Sequence, residues 1–221
     1  MDDQIRISAS GFSECVTSFP KITHAKLRPF KIKTKGEGAG RSGYYKRALD
    51  TIREYHRREN DPTVFKNAKQ ELGALYESLD PKTQYRDRVK TAKNIEALIA
   101  YEQVYGRRLF LMQNRHRISV QIGSVVITAQ PDLWVSENGV EVLIKVGVAK
   151  KKEQQIDIML HLLRKAAVAS GYRIRSRNVV YLDIAHGQEI CCQNNLARFN
   201  RIFAGVAKLI EATWPEIMPA A

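Results

Sequence analysis

The sequence predicts an α/β fold of the layered α+β kind, in which helices flank a mixed central β-sheet. Apolar residues recur with a helical period up to about residue 106, and they alternate or run in short stretches between residues 107 and 147. A helix, two strands and a last helix follow. The second half therefore has the order β-β-β-β-α-β-β-α, which is typical of helices layered on a sheet.

Three helices are predicted in the first part of the chain. The first follows the glycine-rich stretch 36–43, and the second begins at Asp61-Pro62, where the aspartate caps the helix and proline fits its first turn. The third covers residues 87–105 and ends at Gly106. Its inward-facing residues are expected to be Ile95, Leu98, Ile99 and Val104.

Five short stretches separated by turn residues predict a strand meander in the second part. They read RRLFLM, HRISVQI, SVVITA, PDLWV and VEVLIKV. A helix is predicted over 153–170, and a strand over 179–184 whose nearly continuous apolar run indicates burial on both faces. A short edge strand (QEICC) and a helix over 196–214 complete the order.

The charge of the chain is strongly positive and uneven. Its 221 residues carry a formal net charge of +13. Residues 1–117 hold 24 Lys and Arg against 14 Asp and Glu, a balance of +10, whereas residues 118–221 hold 12 against 9, a balance of +3. This asymmetry predicts a polyanionic partner, nucleic acid, held mainly by the first half of the chain. Of the nucleic acids, DNA is expected rather than RNA, although the charge itself does not distinguish them. An anionic membrane would use the same charge, but no basic helix has the broad apolar face of an interfacial anchor, so no membrane partner is expected.

Cysteine usage and hydropathy favour a cytoplasmic protein. Cys15, Cys191 and Cys192 are odd in number, and two are adjacent, which fits neither a disulfide framework nor a paired zinc motif. No run of 18 apolar residues occurs, and the first residues lack the layout of a signal peptide.

A tight turn predicts which residues meet across one hairpin. Asn138-Gly139 is the strongest short hairpin signal, because a type I′ turn needs positive φ at both central positions. If these two residues form the loop, the numbers of paired residues sum to 277. The pairs that then share one face are Asp132 with Lys145, Trp134 with Leu143, and Ser136 with Glu141. An ordinary cross-strand ion pair between Asp132 and Lys145 is one interpretation.

The surroundings of this hairpin carry a resemblance. Pro131-Asp132, the hairpin, Lys145, a helix bearing Gln154 and Gln155, a buried strand and an upstream acidic helix resemble the PD-(D/E)xK nuclease superfamily, nearest its exonuclease-subunit-like branch. The likeness covers roughly residues 90–190. It implies a restriction-endonuclease-like core over 87–221 with a C-terminal helix, preceded by a basic, mostly helical region over 1–86.

The resemblance also implies a site. Asp132 would hold Mg²⁺ (or Mn²⁺) if the protein is active, Lys145 would orient the attacking water, and Gln155 would face the active site. The chain departs from the family at the second acidic position, where Leu143 cannot bind a metal. Glu141 lies on the same face but about 6.6 Å further along the strand, and is interpreted as a solvated residue near the turn. A migrated carboxylate is expected from Glu96, Glu102 or Glu153, each of which can also be a surface helix charge.

Two basic segments are predicted to contact nucleic acid. The stretch from Lys21 to Lys35 holds six Lys and Arg without an acid, and a glycine-rich loop with Arg41 follows it. A second run precedes the helix at 153. The predicted contacts are Lys31, Lys33, Lys35, Arg41, Lys150, Lys151 and Lys152. A flexible linker and a solvated loop are the alternatives, and Trp134 can stack on a base or pack in the core.

Three functions remain open from the sequence. The first is metal-dependent hydrolysis of phosphodiester bonds in DNA with an incomplete or migrated motif. The second is a catalytically inactive nuclease-fold module that binds nucleic acid. The third is an adaptor that docks an acidic protein, and a homodimer or another protein partner is compatible with each.

Overall fold

The computed structural model describes residues 5–19, 21, 24–31, 44–113 and 117–217. The strands are β1 (Ile5–Ser8), β2 (Leu111–Met112), β3 (Ile118–Ile122), β4 (Val125–Ala129), β5 (Leu133–Glu137), β6 (Val140–Gly147), β7 (Val179–Asp183) and β8 (Gln188–Cys191). The helices are α1 (Ala9–Ser18), α2 (His24–Lys31), α3 (Lys46–Arg57), α4 (Pro62–Ser78), α5 (Tyr85–Tyr105), α6 (Glu153–Ala169) and α7 (Leu196–Thr213). The predicted layered mixture of helices and strands is confirmed.

The strands form two mixed sheets, whereas the sequence predicted one. Five strands pair in the order β2-β5-β6-β7-β8, with β6 and β7 parallel and the other neighbours antiparallel. The smaller sheet has the order β1-β4-β3. The prediction of a single meander was wrong because the β3–β4 hairpin leaves the main sheet and pairs with β1 instead.

Strand β1 lies in the part of the chain that was expected to be helical. It pairs in parallel with β4, so that Ile5 lies opposite Val125 and Ser8 opposite Thr128. Its alternating buried and exposed residues span only four positions, which is too short for a periodicity to stand out. This pairing crosses residue 86, where the sequence placed a boundary between two regions.

Helix α6 lies between the two sheets. It contacts β3 and β4 on one side and β7 on the other. Its buried residues extend around most of the helix, including Ile158, Leu160 and Leu162, each at most 1% exposed. They join the inner residues of the small sheet, and also Trp134, Leu143 and Tyr181, in one core. A helix that is apolar on nearly all sides is expected where both of its flanks are covered.

The opposite face of the five-stranded sheet is covered by α3, α4 and α5. Asp61 caps α4 as predicted, accepting a hydrogen bond from the Thr63 N–H at 2.9 Å. The predicted inward face of α5 is partly wrong, since Ile99 and Val104 are exposed. The residues that α5 buries against this face are Ala97, Leu98, Tyr101 and Tyr105. The buried stripe of α5 therefore follows Tyr101 and Tyr105 instead of Ile99 and Val104.

Within the described residues, no helix has the length and hydrophobicity needed to cross a bilayer.

Candidate functional site

The predicted hairpin register is confirmed residue by residue. Leu133 lies opposite Ile144, Trp134 opposite Leu143, and Ser136 opposite Glu141. The turn residues Asn138 and Gly139 have φ of 51° and 77°, as a type I′ turn requires.

Asp132 and Lys145 meet at the end of this register. The Lys145 Nζ lies 2.8 Å from Asp132 Oδ2, and the two side chains are only 21% and 13% exposed. Lys145 also donates to the Gln130 carbonyl at 3.2 Å. The two residues form a close, largely buried ion pair where β5 begins beside the carboxyl end of β6.

Two further groups hold the Asp132 carboxylate. The backbone N–H of Val146 donates to Oδ2 at 2.9 Å, and the Arg53 Nη2 lies 3.6 Å from Oδ1. Arg53 also donates from Nε to the Asp132 carbonyl at 2.8 Å, and from Nη1 to Asp50 at 2.8 Å. Two cations and a backbone N–H therefore neutralise Asp132 from three directions.

Asp132 opens onto a pocket of about 650 Å³ between α3 and the start of β5. Arg53 and Arg57 line one side, and Gln113, Gln130 and Asp132 line another. His56 also lines it, but burial lowers the pKa of this histidine to about 4, so its ring is neutral at pH 7. The lining thus combines two carboxylates, Asp132 and Glu59, with two arginines and the amide groups of Gln113 and Gln130.

The second acidic position of the motif is sealed in the core. Leu143 is 0% exposed and Trp134 is 4% exposed, and the indole packs edge-on against Tyr172 with 4.7 Å between ring centroids. The core interpretation of Trp134 is confirmed. Glu141 lies near the turn as predicted and is half-buried, and it accepts a hydrogen bond from the Trp134 Nε1 at 2.6 Å. This bond satisfies the indole N–H and holds Glu141 near the turn.

The expected substitute carboxylates do not gather at Asp132. Glu102 pairs with Lys69 at 2.6 Å and Glu96 with Lys93 at 2.5 Å, both on the α5 side of the sheet. Glu153 is exposed in the first turn of α6, and Gln155 is half-buried one turn from Lys152, whose carbonyl accepts its backbone N–H.

The described residues do not fit a divalent metal at Asp132. Mg²⁺ and Mn²⁺ want several oxygen ligands, and carboxylates above all. In the part of the chain that the structure describes, no three His, Cys, Asp or Glu side chains are placed so that they could hold a metal ion. The donors that surround Asp132 are instead N–H groups, which compete with a cation for its oxygens.

The predicted nucleic-acid contacts divide into three groups. Lys31 donates to the Trp214 carbonyl at 2.7 Å, so it tethers α2 to the end of α7. Lys33, Lys35 and Arg41 lie outside the described residues. Lys150, Lys151 and Lys152 are exposed in the segment that links β6 to α6.

Sequence reasoning missed two neighbours of the site. Arg53 lies 79 residues before Asp132, and nothing in its helix distinguishes it from other surface arginines. Tyr181 lies opposite Lys145 in β7, and a side chain at Gly147 would clash with its ring. An apolar strand with a single tyrosine followed by Asp183 was the only signal for that position.

Comparisons with protein-family models, with curated proteins and with solved structures found no match for this chain.

Proposed function

We propose that this protein binds nucleic acid through a restriction-endonuclease-like sheet, and that Asp132 and Lys145 act there as an ion pair rather than as a hydrolytic centre. The resemblance of the hairpin and its flanking helix to the PD-(D/E)xK superfamily supports the fold assignment. The net charge of +13 supports a polyanionic partner.

One observation carries the proposal. Asp132 is neutralised by Lys145 and Arg53, whereas Lys150–Lys152 leave the same end of β6 with exposed side chains and no ion pair among the described residues. This end of the sheet is therefore net positive. A positive surface attracts phosphates, and each lysine that contacts one releases condensed counterions.

Salt dependence tests the binding surface. Fluorescence anisotropy with labelled single- and double-stranded DNA and RNA, between about 50 and 200 mM salt, should give a steep loss of affinity. Changing Lys150, Lys151 and Lys152 together to Gln should weaken binding and reduce the log–log slope by about 2 to 3. The matched control changes Lys66, Lys82 and Arg86 to Gln, which removes the same charge from exposed positions on the α4–α5 hairpin. An equal loss in both triple variants would reject the surface.

A cleavage assay tests the role of Asp132 and Lys145. Wild type and Lys145→Ala are compared on the same nucleic acids with Mn²⁺, and isothermal calorimetry measures Mn²⁺ binding by wild type and Asp132→Ala. We expect neither cleavage nor Asp132-dependent binding of Mn²⁺. Cleavage by wild type that Lys145→Ala abolishes would overturn the non-hydrolytic assignment.

A further inference from the structure

A second pocket lies at the amino end of β7. It has a volume of about 550 Å³ and is lined by Arg164, Arg175, Ser176, Arg177, Cys192 and Asn194. Residues 176–178 form a 3₁₀ turn that leads into the start of β7, and Cys192 follows the end of the antiparallel strand β8. Lys145 pairs with Tyr181, the middle residue of β7, and lies near the carboxyl end of the parallel strand β6. The two pockets are separate features of one sheet.

Three arginines converge on this pocket without a carboxylate to balance them. In the described part of the chain, none of Arg164, Arg175 and Arg177 forms an ion pair, and no Asp or Glu lines the cavity. Asp157 acts electrostatically on Cys192 but pairs with none of the three. Like charges gathered around a cavity repel one another, so the arrangement is costly when the cavity holds only water.

Arg164 adds to the charge imbalance because part of its guanidinium group is buried. It lies on α6, and its Nη1 is sealed from solvent with no hydrogen-bond partner among the described residues. The Nε donates only a long bond of 3.5 Å to the Ile174 carbonyl. A guanidinium that is partly buried and incompletely hydrogen-bonded is unfavourable unless a counter-charge lies nearby. The part of Arg164 that lines the pocket is where such a counter-charge can act.

The remaining lining groups suit an anion as well. Ser176 donates from Oγ to Asn194 Oδ1 at 3.0 Å, which ties the 3₁₀ turn to the segment after β8 and leaves the Asn194 amide donors for the pocket. Burial raises the pKa of the Cys192 thiol to about 11, so the thiol is neutral at pH 7 and supplies no negative charge. The lining thus combines three fixed cations with polar donors.

We propose that this pocket binds the phosphate group of a phosphate monoester, held by Arg164, Arg175 and Arg177. Planar guanidinium groups match tetrahedral oxyanions through paired N–H···O bonds, and three of them can neutralise a doubly charged phosphate. A monoester presents three oxygens at one end, which matches three guanidinium groups, whereas a phosphodiester within a strand presents two. The group can come from a free nucleotide or from the 5′ end of a nucleic-acid strand.

Binding of small anions tests the pocket without any nucleic acid. Isothermal calorimetry and thermal shift use inorganic phosphate and adenosine monophosphate, at an ionic strength matched with sodium chloride. We expect saturable binding by wild type and a loss of at least about tenfold in affinity for Arg177→Gln and Arg175→Gln. Arg177→Lys should keep the charge yet lose most of the affinity, because it loses the forked geometry.

The matched control is Arg173→Gln, which removes an exposed arginine from the same segment but from outside the pocket. It should bind both anions like wild type. Equal loss in Arg173→Gln and Arg177→Gln, or no binding of either anion by wild type, would overturn the proposal. Because Arg175 and Arg177 are exposed, their variants should fold normally, and circular dichroism checks this.

Two oligonucleotides identify the source of the phosphate. Tighter binding of a 5′-phosphorylated strand than of its 5′-hydroxyl counterpart, lost in Arg177→Gln, assigns the pocket to a strand end. Equal binding of both strands together with saturable binding of adenosine monophosphate assigns it to a free nucleotide. Both results support the pocket, and affinity for the 5′-hydroxyl strand reports separately on the surface around Lys150–Lys152.

Discussion

Charge is arranged differently at the carboxyl end of β6 and at the amino end of β7. Near the carboxyl end of β6, Asp132 is held by Lys145, Arg53 and the Val146 N–H, so each charge in the cluster has a partner. At the amino end of β7, three arginines surround a cavity that no carboxylate lines in the described residues. Strand β7 itself is nearly all buried.

This difference separates two uses of charge in one sheet. A charge whose partners are all supplied by the protein acts on stability and on local geometry. A set of like charges without partners costs stability, and its cost is recovered only when a ligand binds. The Asp132–Lys145 pair therefore has no unmet charge of its own, and any anion near it must be attracted by the exposed Lys150–Lys152, whereas the arginine pocket has its unpaired cations in the lining itself.

The largest effect is expected from placing an acid at Leu143, the position of the second acid in the PD-(D/E)xK pattern that the hairpin resembles. Leu143→Glu places a carboxylate at a position that is 0% exposed, and we expect a loss of about 4 kcal/mol in the free energy of unfolding, because a buried unpaired carboxylate is strongly disfavoured. Urea denaturation measures this loss. Leu143→Met, which keeps the volume, should cost no more than about 1 kcal/mol.

The same variant tests the metal assignment. If Mn²⁺ restored the stability of Leu143→Glu, and Asp132→Asn abolished that rescue, the site would have the geometry of a metal centre after all. We expect no rescue, since Asp132 is occupied by its cationic neighbours.

Removing the charge of Asp132 should cost less stability than Leu143→Glu. Asp132→Asn leaves Lys145 without its counter-charge in a setting that is mostly buried, while Arg53 keeps Asp50, and we expect a loss of about 2 kcal/mol by urea denaturation. Combining it with Lys145→Met should cost clearly less than the sum of the two single changes, because the second change removes the stranded cation. Additive losses would mean that the Asp132–Lys145 pair contributes little to stability. The Asp132 cluster would then not differ from the arginine pocket in this respect.

The hairpin could be predicted from sequence because its signal is local. Asn138-Gly139 allows one kind of tight turn, and the turn alone determines that Asp132 lies opposite Lys145. The pairing of β1 with β4 could not be predicted in this way, since 120 residues separate Ile5 from Val125 and the choice depends on burial across two sheets.

The arginine pocket shows the same limit. Arg175 and Arg177 are visible as a basic run, but Arg164 belongs to the pattern of a helix and comes near them only because α6 packs between two sheets. Arg53 reaches Asp132 for the same reason. The sequence alone located the Asp132–Lys145 pair, because a turn determines its register. It did not locate Arg53 and Arg164, because tertiary packing brings them to the two sites.

Acidification should lower the free energy of unfolding through His161, which lies on α6 near Arg164. His161 packs beside Phe199 with 4.0 Å between ring centroids, and burial, followed by the charge of Arg164, lowers its pKa from 6.5 to about 4. Below pH 6.5, His161 becomes protonated in the unfolded chain but stays neutral in the folded chain. The stability that depends on neutral His161 is therefore complete above pH 6.5 and is lost as pH falls toward 4.

His161→Phe isolates that contribution. Between pH 7 and pH 5 wild type should lose about 2 kcal/mol more than His161→Phe, which keeps the stacked ring. His56, whose pKa is also lowered to about 4, adds a similar slope to both proteins and so cancels in the comparison. Parallel pH profiles for the two proteins would mean that His161 is solvated in the folded state.

The smallest effect has the opposite sign. Arg164→Met keeps a long flexible side chain and removes one of three uncompensated charges, so in phosphate-free buffer we expect a gain of about 1 kcal/mol in the free energy of unfolding. In phosphate at about 100 times its Kd, wild type should gain about 2.7 kcal/mol from binding, while the variant gains much less, so the order of stability reverses. A variant that is less stable in both buffers would show that Arg164 is a structural residue. The arginine pocket would then resemble the Asp132 cluster, in which the charges stabilise the fold.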